Sequence, residues 1–175
     1  MTPCNRYRVD MRAALPMPAA PAGTSELFQL LRDGRPRTRA ELAALTGLSR
    51  STIAGRVDAL MQLGLVGSVG DAVSTGGRPS SQFALLPSSR VVVAADLGAT
   101  HAHVAVTDLR GEVLADVRTA LAIAEGPEAV LDWMLSAAGN LLTGLGRRPE
   151  DIIATGIGVP GPVEHSPGRP ANPLI

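Results

Sequence analysis

Apolar residues recur at helical spacing in three short segments of the first half of the chain, each bounded by polar residues or glycine. The first segment predicts a helix over residues 25–33, ended by Gly34. The second starts at Thr38, which has the spacing of a capping box with Glu41. Its buried side is expected to hold Leu42, Ala43 and Leu45.

The third segment predicts a helix that starts at Ser49, a residue that favours the N-cap position. Gly47 lies in the short turn before it and can take a positive φ. The apolar stripe of this helix consists of Ile53, Val57, Leu60 and Met61. Facing away from the stripe are Arg50, Ser51, Ala54 and Gly55, with Thr52 and Arg56 on the flanks. Helices around a glycine turn predict a helix-turn-helix; the alternative is a helical hairpin with a solvated arginine face.

The pattern then changes to that of a hairpin. A strand is expected from Leu65, and residues 81–85 are expected to pair with it. The loop between them contains Thr75-Gly76-Gly77-Arg78-Pro79, in which the glycine pair lets the backbone approach a surface closely. Arg78 at such a tip can reach phosphates or a narrow minor groove. The order of elements predicts a winged helix-turn-helix over residues 24–86 that binds double-stranded DNA.

Recognition helices place their N-terminal residues at base edges, so Arg50 and Ser51 are expected to contact bases or phosphates. Thr52 and Arg56 are expected to hold the DNA backbone. The full predicted contact set is Arg37, Arg39, Ser49, Arg50, Ser51, Thr52, Arg56, Gly77 and Arg78.

After a linker at residues 87–90, the second half predicts the order β-β-β-α-β. The strands are expected at residues 91–97, 102–108, 112–119 and 152–159, and the helix at 127–146. The apolar stripe of that helix consists of Val130, Leu131, Met134, Leu135, Ala138, Leu141, Leu142 and Leu145. This order predicts a mixed sheet with helices and an open edge, so the whole chain is of the α+β class.

The segment Asp96-Leu97-Gly98-Ala99-Thr100 joins the first two of these strands. Gly98 lets backbone N–H groups face an anion, Thr100 adds a hydroxyl, and Asp96 can position a hydrated Mg²⁺. The alternative is a plain hairpin. His101 and His103 follow in a strand pattern and are expected to be strand residues rather than metal ligands. His165 has no identifiable partner in the sequence.

The two halves of the chain differ in net charge. Residues 1–90 carry eleven arginines against six acidic residues, and residues 91–175 carry five arginines against ten acidic residues, so only the first half is expected to face a polyanion.

Cys4 is the only cysteine, which excludes a disulfide within the chain. No apolar run reaches the length of a membrane span, and a cytoplasmic location is expected. Residues 1–23 predict a disordered leader; two prolines weaken its likeness to a signal peptide.

Residues 25–86 resemble the DNA-binding domain of the ROK family (repressors, open reading frames, sugar kinases), and its xylose repressor-like branch in particular. The resemblance is carried by Leu48–Thr52, Gly64–Val66 and the Gly-Gly-Arg-Pro tip. Residues 91–163, with Asp96–Thr100 and Gly156–Pro162, resemble the first part of that family's actin-like ATPase, sugar kinase-type domain. The resemblance implies homodimers on inverted repeats, with Arg78 in the minor groove, and a sugar effector that alters operator affinity.

The resemblance also implies segments that this sequence does not contain. These are the catalytic-base pair, the main sugar-binding segment, the Cys/His zinc site and the second phosphate and adenosine segments. The chain is therefore expected to be a truncated N-terminal portion without catalytic residues or a cofactor of its own. A sugar effector and a structural zinc are implied for a full-length member. Asp96, Gly98 and Thr100 are expected to be relics of kinase ancestry, and Asn172 to lie at the start of the sugar pocket.

The sequence as a whole predicts a sequence-specific regulator, a repressor, of sugar-utilisation genes. Two alternatives stay open: a fragment of an ATP-dependent sugar kinase of the same family, and a truncated remnant without function.

Overall fold

The computed structural model describes residues 21–71, 80–161, 163–164 and 169–170, and the chain divides into two compact units between Arg90 and Val91. The first unit contains α1 (Thr24–Leu31), β1 (Arg37–Thr38), α2 (Arg39–Thr46), α3 (Arg50–Gln62), β2 (Val66–Asp71) and β3 (Ser81–Leu85). The second contains β4 (Val91–Leu97), β5 (His101–Thr107), β6 (Val113–Ala120), α4 (Pro127–Gly144), β7 (Ile152–Gly158), β8 (Val163–Glu164) and β9 (Arg169–Pro170). The predicted order of helices and longer strands is confirmed.

The core of the first unit is formed by the apolar sides of its three helices. The helix side chains with no more than 2% exposure are Leu27, Leu31, Leu42, Ile53, Val57 and Leu60. Strand β3 lies between β1 and β2 in an antiparallel sheet and adds Phe83 to the buried residues. The short strand β1 was not expected, because the sequence there reads only as a rigid connection.

Two residues predicted on buried helix sides are exposed. Leu45 of α2 is 60% exposed, because this helix of two turns buries only the side chain of Leu42. Met61 of α3 is 38% exposed. At about 100° per residue, Met61 lies roughly 80° around the helix from Ile53, at the margin of the stripe. The apolar patterns therefore predict faces wider than those the fold buries.

The second unit is built on a four-stranded sheet in the order β6-β5-β4-β7. The pairs β6·β5 and β5·β4 are antiparallel, and β4·β7 is parallel. Helix α4 packs on one face, where Met134, Ala138 and Leu142 meet Val93 and Val104. Leu131, predicted on the buried stripe, is 42% exposed, since α4 covers the sheet with one side only.

The two edges of this sheet differ in what they present. On β7, Thr155 and Ile157 are exposed. On β6, Val113, Leu114 and Val117 are exposed.

None of the helices described is long and apolar enough to span a membrane.

Candidate nucleic-acid interface

The turn between α2 and α3 is held by local hydrogen bonds that the sequence predicts. The Glu41 amide donates to Thr38 Oγ1 at 3.2 Å, and Glu41 Oε2 accepts from the Thr38 amide at 2.7 Å, which completes the capping box. The Thr38 amide and the Thr38 hydroxyl both donate to Glu41 Oε2, and they hold the pKa of Glu41 below its usual value. Gly47 ends α2 at φ 69°, a conformation that a side chain disfavours. The turn is thus specified residue by residue.

The start of α3 presents four exposed polar residues, Ser49, Arg50, Ser51 and Thr52, which we name the recognition surface. Ser49 Oγ accepts from the Thr52 amide at 3.2 Å and caps the helix. The same oxygen lies 2.9 Å from Ser51 Oγ and 2.8 Å from Thr52 Oγ1. These contacts order the hydroxyl groups before any ligand arrives. No acidic residue lies in the first turn, so its positive end faces solvent uncompensated.

A groove runs from the recognition surface to the start of β3, where Ser80 and Ser81 form what we name the wing base. It is lined by Thr38, Arg39, Ala40, Arg50, Ser80 and Ser81. Two arginines and several hydroxyls therefore share one concave surface beside the first turn of α3. Donors of this kind suit a DNA phosphate, which accepts hydrogen bonds and carries a negative charge.

Arg39, which lines the groove, also contacts two other elements of the first unit. Its guanidinium forms an ion pair of 2.8 Å with Asp58 on α3 and lies 4.5 Å from the ring centroid of Phe83 on β3. The side chain is 40% exposed, so it still faces the groove in part. Neither partner was foreseen, because Asp58 is 19 residues away and Phe83 lies farther still along the sequence.

Arg37 and Arg56, both predicted to contact DNA, have partners inside the unit. Arg37 donates to Asp33 Oδ1 at 2.8 Å and to the Leu30 carbonyl at 3.1 Å, and its side chain is 14% exposed. Arg56 lies 3.7 Å from Glu26 on α1 and is also 14% exposed. Asp33 and Arg37 are only four residues apart, so their pairing is local in the sequence, whereas the pairing of Arg56 with Glu26 joins α3 to α1 and has no local signal.

Part of the predicted site lies outside the described residues. This concerns Gly77 and Arg78 of the wing, Asn172, and His165. The strands that lead into and out of the wing are described, and the predicted hairpin is confirmed. Its register shifts between Ser68 and Gly70, which is the mark of a β-bulge.

The loop between β4 and β5 holds the predicted phosphate-binding residues. Asp96 is exposed at the end of β4, and the Gly98 amide donates to the His101 carbonyl at 2.8 Å. The Leu121 amide donates to the Thr100 carbonyl at 3.2 Å, which anchors the loop. The His101 imidazole lies over Gly98, so close that a Cβ there would be 2.2 Å from the ring. His101 Nε2 is 3.8 Å from Asp96 Oδ2.

This loop is therefore a tight hairpin covered by an imidazole. The imidazole lies in front of Gly98, and the His101 side chain is 60% exposed. His103, the second histidine, forms a hydrogen bond of 2.9 Å to Asp116 Oδ2 on β6.

Comparison with known proteins agrees with this architecture. Residues 27–66 match the model for winged helix-turn-helix DNA-binding domains, and residues 92–172 match the ROK family model. The xylose repressor of Bacillus spizizenii is 30% identical over 140 residues, which are 80% of this chain and 36% of the repressor. The xylose repressor of Bacillus subtilis is 30% identical over 138 residues, 79% of this chain and 35% of the repressor.

A solved structure has the same fold. It is a ROK family transcriptional regulator, described as a homologue of the E. coli MLC protein, with a TM-score of 0.62 and 19% identity. The match covers 81% of this chain and 36% of that one, so the chain spans about a third of the length of its relatives. The chain therefore contains a winged helix-turn-helix followed by a ROK family domain, and most of its length is similar to about a third of the length of the xylose repressors.

Proposed function

We propose that this chain is the DNA-binding portion of a sequence-specific transcriptional repressor of sugar-utilisation genes. The observation that carries the proposal is the recognition surface, where Arg50 and three hydroxyl side chains are exposed and ordered at the positive end of α3. The names of the relatives, xylose repressors, support the assignment to sugar metabolism.

In this proposal the first turn of α3 enters the major groove of double-stranded DNA. Arg50 donates two hydrogen bonds to guanine or binds a phosphate. Ser51 and Thr52 donate to base edges or to the DNA backbone. Ser49 keeps these hydroxyls in place. The wing lies beside the helix, with Gly77 allowing close approach and Arg78 reaching into the minor groove.

The arginines of the first unit divide into two roles. Arg50 contacts DNA directly, while Arg39 faces the same groove and holds β3 against α3. We assign Arg37 and Arg56 to the domain interior, because each has an acidic partner and little exposed surface.

The wider proposal concerns the whole regulator. Two such units act as a homodimer on an inverted repeat in the cytoplasm, and a sugar effector bound by the ROK domain changes operator affinity. Asn172 contributes to that sugar site, and the structural zinc belongs to the longer protein.

We also propose that the chain is not an enzyme. The hairpin at Asp96, Gly98 and Thr100 is covered by His101, which supports a relic of a phosphate loop rather than a working one. Isothermal titration with magnesium–ATP is expected to give no saturable heat; saturable heat that Asp96→Ala removes would contradict this proposal.

The test of DNA contact is a pair of arginine substitutions. Using a fragment selected from genomic DNA by the purified chain, we expect Arg50→Ala to weaken binding by about 1–3 kcal/mol. Loss of a phosphate contact also reduces the slope of log K against log salt by about one; loss of a base contact changes sequence preference instead.

The matched control is Arg148→Ala. Arg148 is an exposed arginine of the second unit, so its removal changes the net charge equally. We expect binding by this variant to equal that of the unchanged chain. Equal affinity, salt slope and sequence preference for Arg50→Ala would show that α3 does not contact DNA as proposed.

A further inference from the structure

The outer side of β6 is an open strand edge. β6 ends the order β6-β5-β4-β7, and no strand among the described residues pairs with its outer side. A strand of eight residues with free N–H and C=O groups on one side is a template for another strand. Its apolar side chains are also uncovered, since Val113 is 56%, Leu114 38% and Val117 36% exposed.

An apolar groove adjoins this edge. It lies between β6 and α4 and is lined by Val117, Trp133, Ser136, Ala137, Asn140 and Leu141. Trp133 and Leu141 are only partly buried by the core of the unit. A chain that paired with β6 would therefore also shield apolar surface on the helix-covered face of the sheet.

The sequence of β6 is complementary in charge to itself. Asp116 and Arg118 flank Val117 and lie on the opposite face of the strand from it. In an antiparallel pair with a two-fold axis at Val117, Asp116 of each copy lies directly opposite Arg118 of the other. Opposite charges in such positions are stabilising, and the two-fold axis makes the contact twice.

The neighbouring registers lack this match. Moving the axis by one residue, to Asp116 or to Arg118, places like charges directly opposite each other, which is destabilising. Charge therefore favours the register centred on Val117 over these two, and this register also brings the Val117 side chains of both copies together beside the groove.

The two charged residues are already placed for such a contact. His103 Nε2 holds Asp116 Oδ2 at 2.9 Å, and the Asp116 side chain is still 45% exposed. Arg118 is 75% exposed, and its Nε is 3.9 Å from the same carboxylate. A second copy thus meets a fixed carboxylate beside an extended guanidinium.

We propose that β6 pairs antiparallel with β6 of a second copy about a two-fold axis at Val117, which joins the two four-stranded sheets into one. This interface lies wholly within the second unit. It is tested without DNA, so its failure would leave the proposed function standing.

The test is charge reversal, measured by analytical ultracentrifugation of the full chain over a wide range of concentration. We expect the unchanged chain to dimerise. Asp116→Arg and Arg118→Asp, each alone, oppose like charges at both symmetric contacts and are expected to raise the dimer Kd at least about tenfold.

Two combinations of these substitutions place opposite charges opposite each other again. The double variant Asp116→Arg/Arg118→Asp pairs with itself, and the two single variants mixed in equal amounts pair with each other. We expect dimers in both cases. Because restoration requires folded chains, it separates a broken interface from a misfolded variant, and circular dichroism of each single variant supports that separation.

A cross-link locates the axis. In a Cys4→Ser background, Val117→Cys places two thiols opposite each other at the axis and is expected to give a covalent dimer on mild oxidation. Thr143→Cys, exposed on α4, is the control and is expected to give no covalent dimer. A monomeric unchanged chain, or dimers that survive both single reversals, would overturn the proposal and leave this edge to a different partner or to none.

Discussion

At the residue scale, Gly55 lies on the exposed side of α3, one turn after the recognition surface. A Cβ built on this glycine meets no atom within 4 Å, so the fold itself leaves room for a side chain. Glycine inside a helix costs stability relative to alanine. Under the proposed function, a close approach of DNA accounts for a glycine at this position.

Gly55→Ala is expected to separate stability from binding. Unfolding in urea should show a gain of about 1 kcal/mol from helix propensity. DNA affinity should fall, because the added methyl group lies between α3 and the groove wall. Gly144→Ala, at the end of α4 and also with open space around it, is the control: a gain in stability with unchanged affinity. Unchanged affinity for Gly55→Ala as well would mean that DNA does not approach α3 closely at this position.

The residue roles that followed from the sequence were those set by neighbours along the chain. Thr38, Glu41 and Ser49 were predicted as caps because capping depends on spacing alone, and the structure confirms them. Arg39 and Arg56 were predicted only by charge. Their partners come from other elements, which no local pattern reveals, and those partners decide how much of each guanidinium remains exposed.

At the element scale, the connection from α1 to β1 depends on one ion pair. Arg37 donates to both oxygens of Asp33, holds the pKa of that carboxyl well below its usual range, and binds the last turn of α1 through the Leu30 carbonyl. The pKa of Arg37 is raised by the same contact. The pair therefore ties the end of one element to the start of the next.

This pair predicts a pH dependence with a definite sign. A carboxyl whose pKa is depressed by folding adds stability above its unfolded pKa, near 4, and loses it as pH falls toward the folded value. The same holds for Glu41. We expect hydrogen exchange of peptides from residues 24–46 to quicken as pH is lowered through this window, after correction for the intrinsic rate.

Asp33→Asn and Glu41→Gln should weaken that pH dependence, because neither amide titrates. Glutamine at position 41 keeps the acceptor of the capping box, so it isolates the charge from the hydrogen bond. An identical pH response in the unchanged chain and both variants would show that these carboxyls do not govern the stability of the connection.

The sequence predicted the positions of the helices and strands better than it predicted which of their side chains are buried. Leu45, Met61 and Leu131 belong to apolar patterns, yet each is exposed. Periodicity reports which side of a helix is apolar, whereas burial depends on the width of the neighbouring surface. The short strand β1 illustrates the same limit, since its two residues form a strand only because β3 lies beside them.

At the scale of the whole molecule, the two halves carry opposite charge and different chemistry. The positive half contains the ordered donors at the start of α3, and the negative half contains a mixed sheet with an open, self-complementary edge. The first half thus suits DNA, and the second half offers the strand edge proposed above for pairing with a second copy. The order of domains followed from the sequence because composition, charge and periodicity all change between residues 86 and 91.

The proposed function requires that the first unit binds DNA with sequence specificity. The most direct measurement is selection of sheared genomic DNA on the purified chain, followed by sequencing and a salt titration of the best fragment. We expect enrichment of an inverted repeat whose affinity falls steeply with salt and exceeds that of a shuffled fragment. Failure to enrich any sequence at low salt, by a chain whose circular dichroism shows it to be folded, would contradict it.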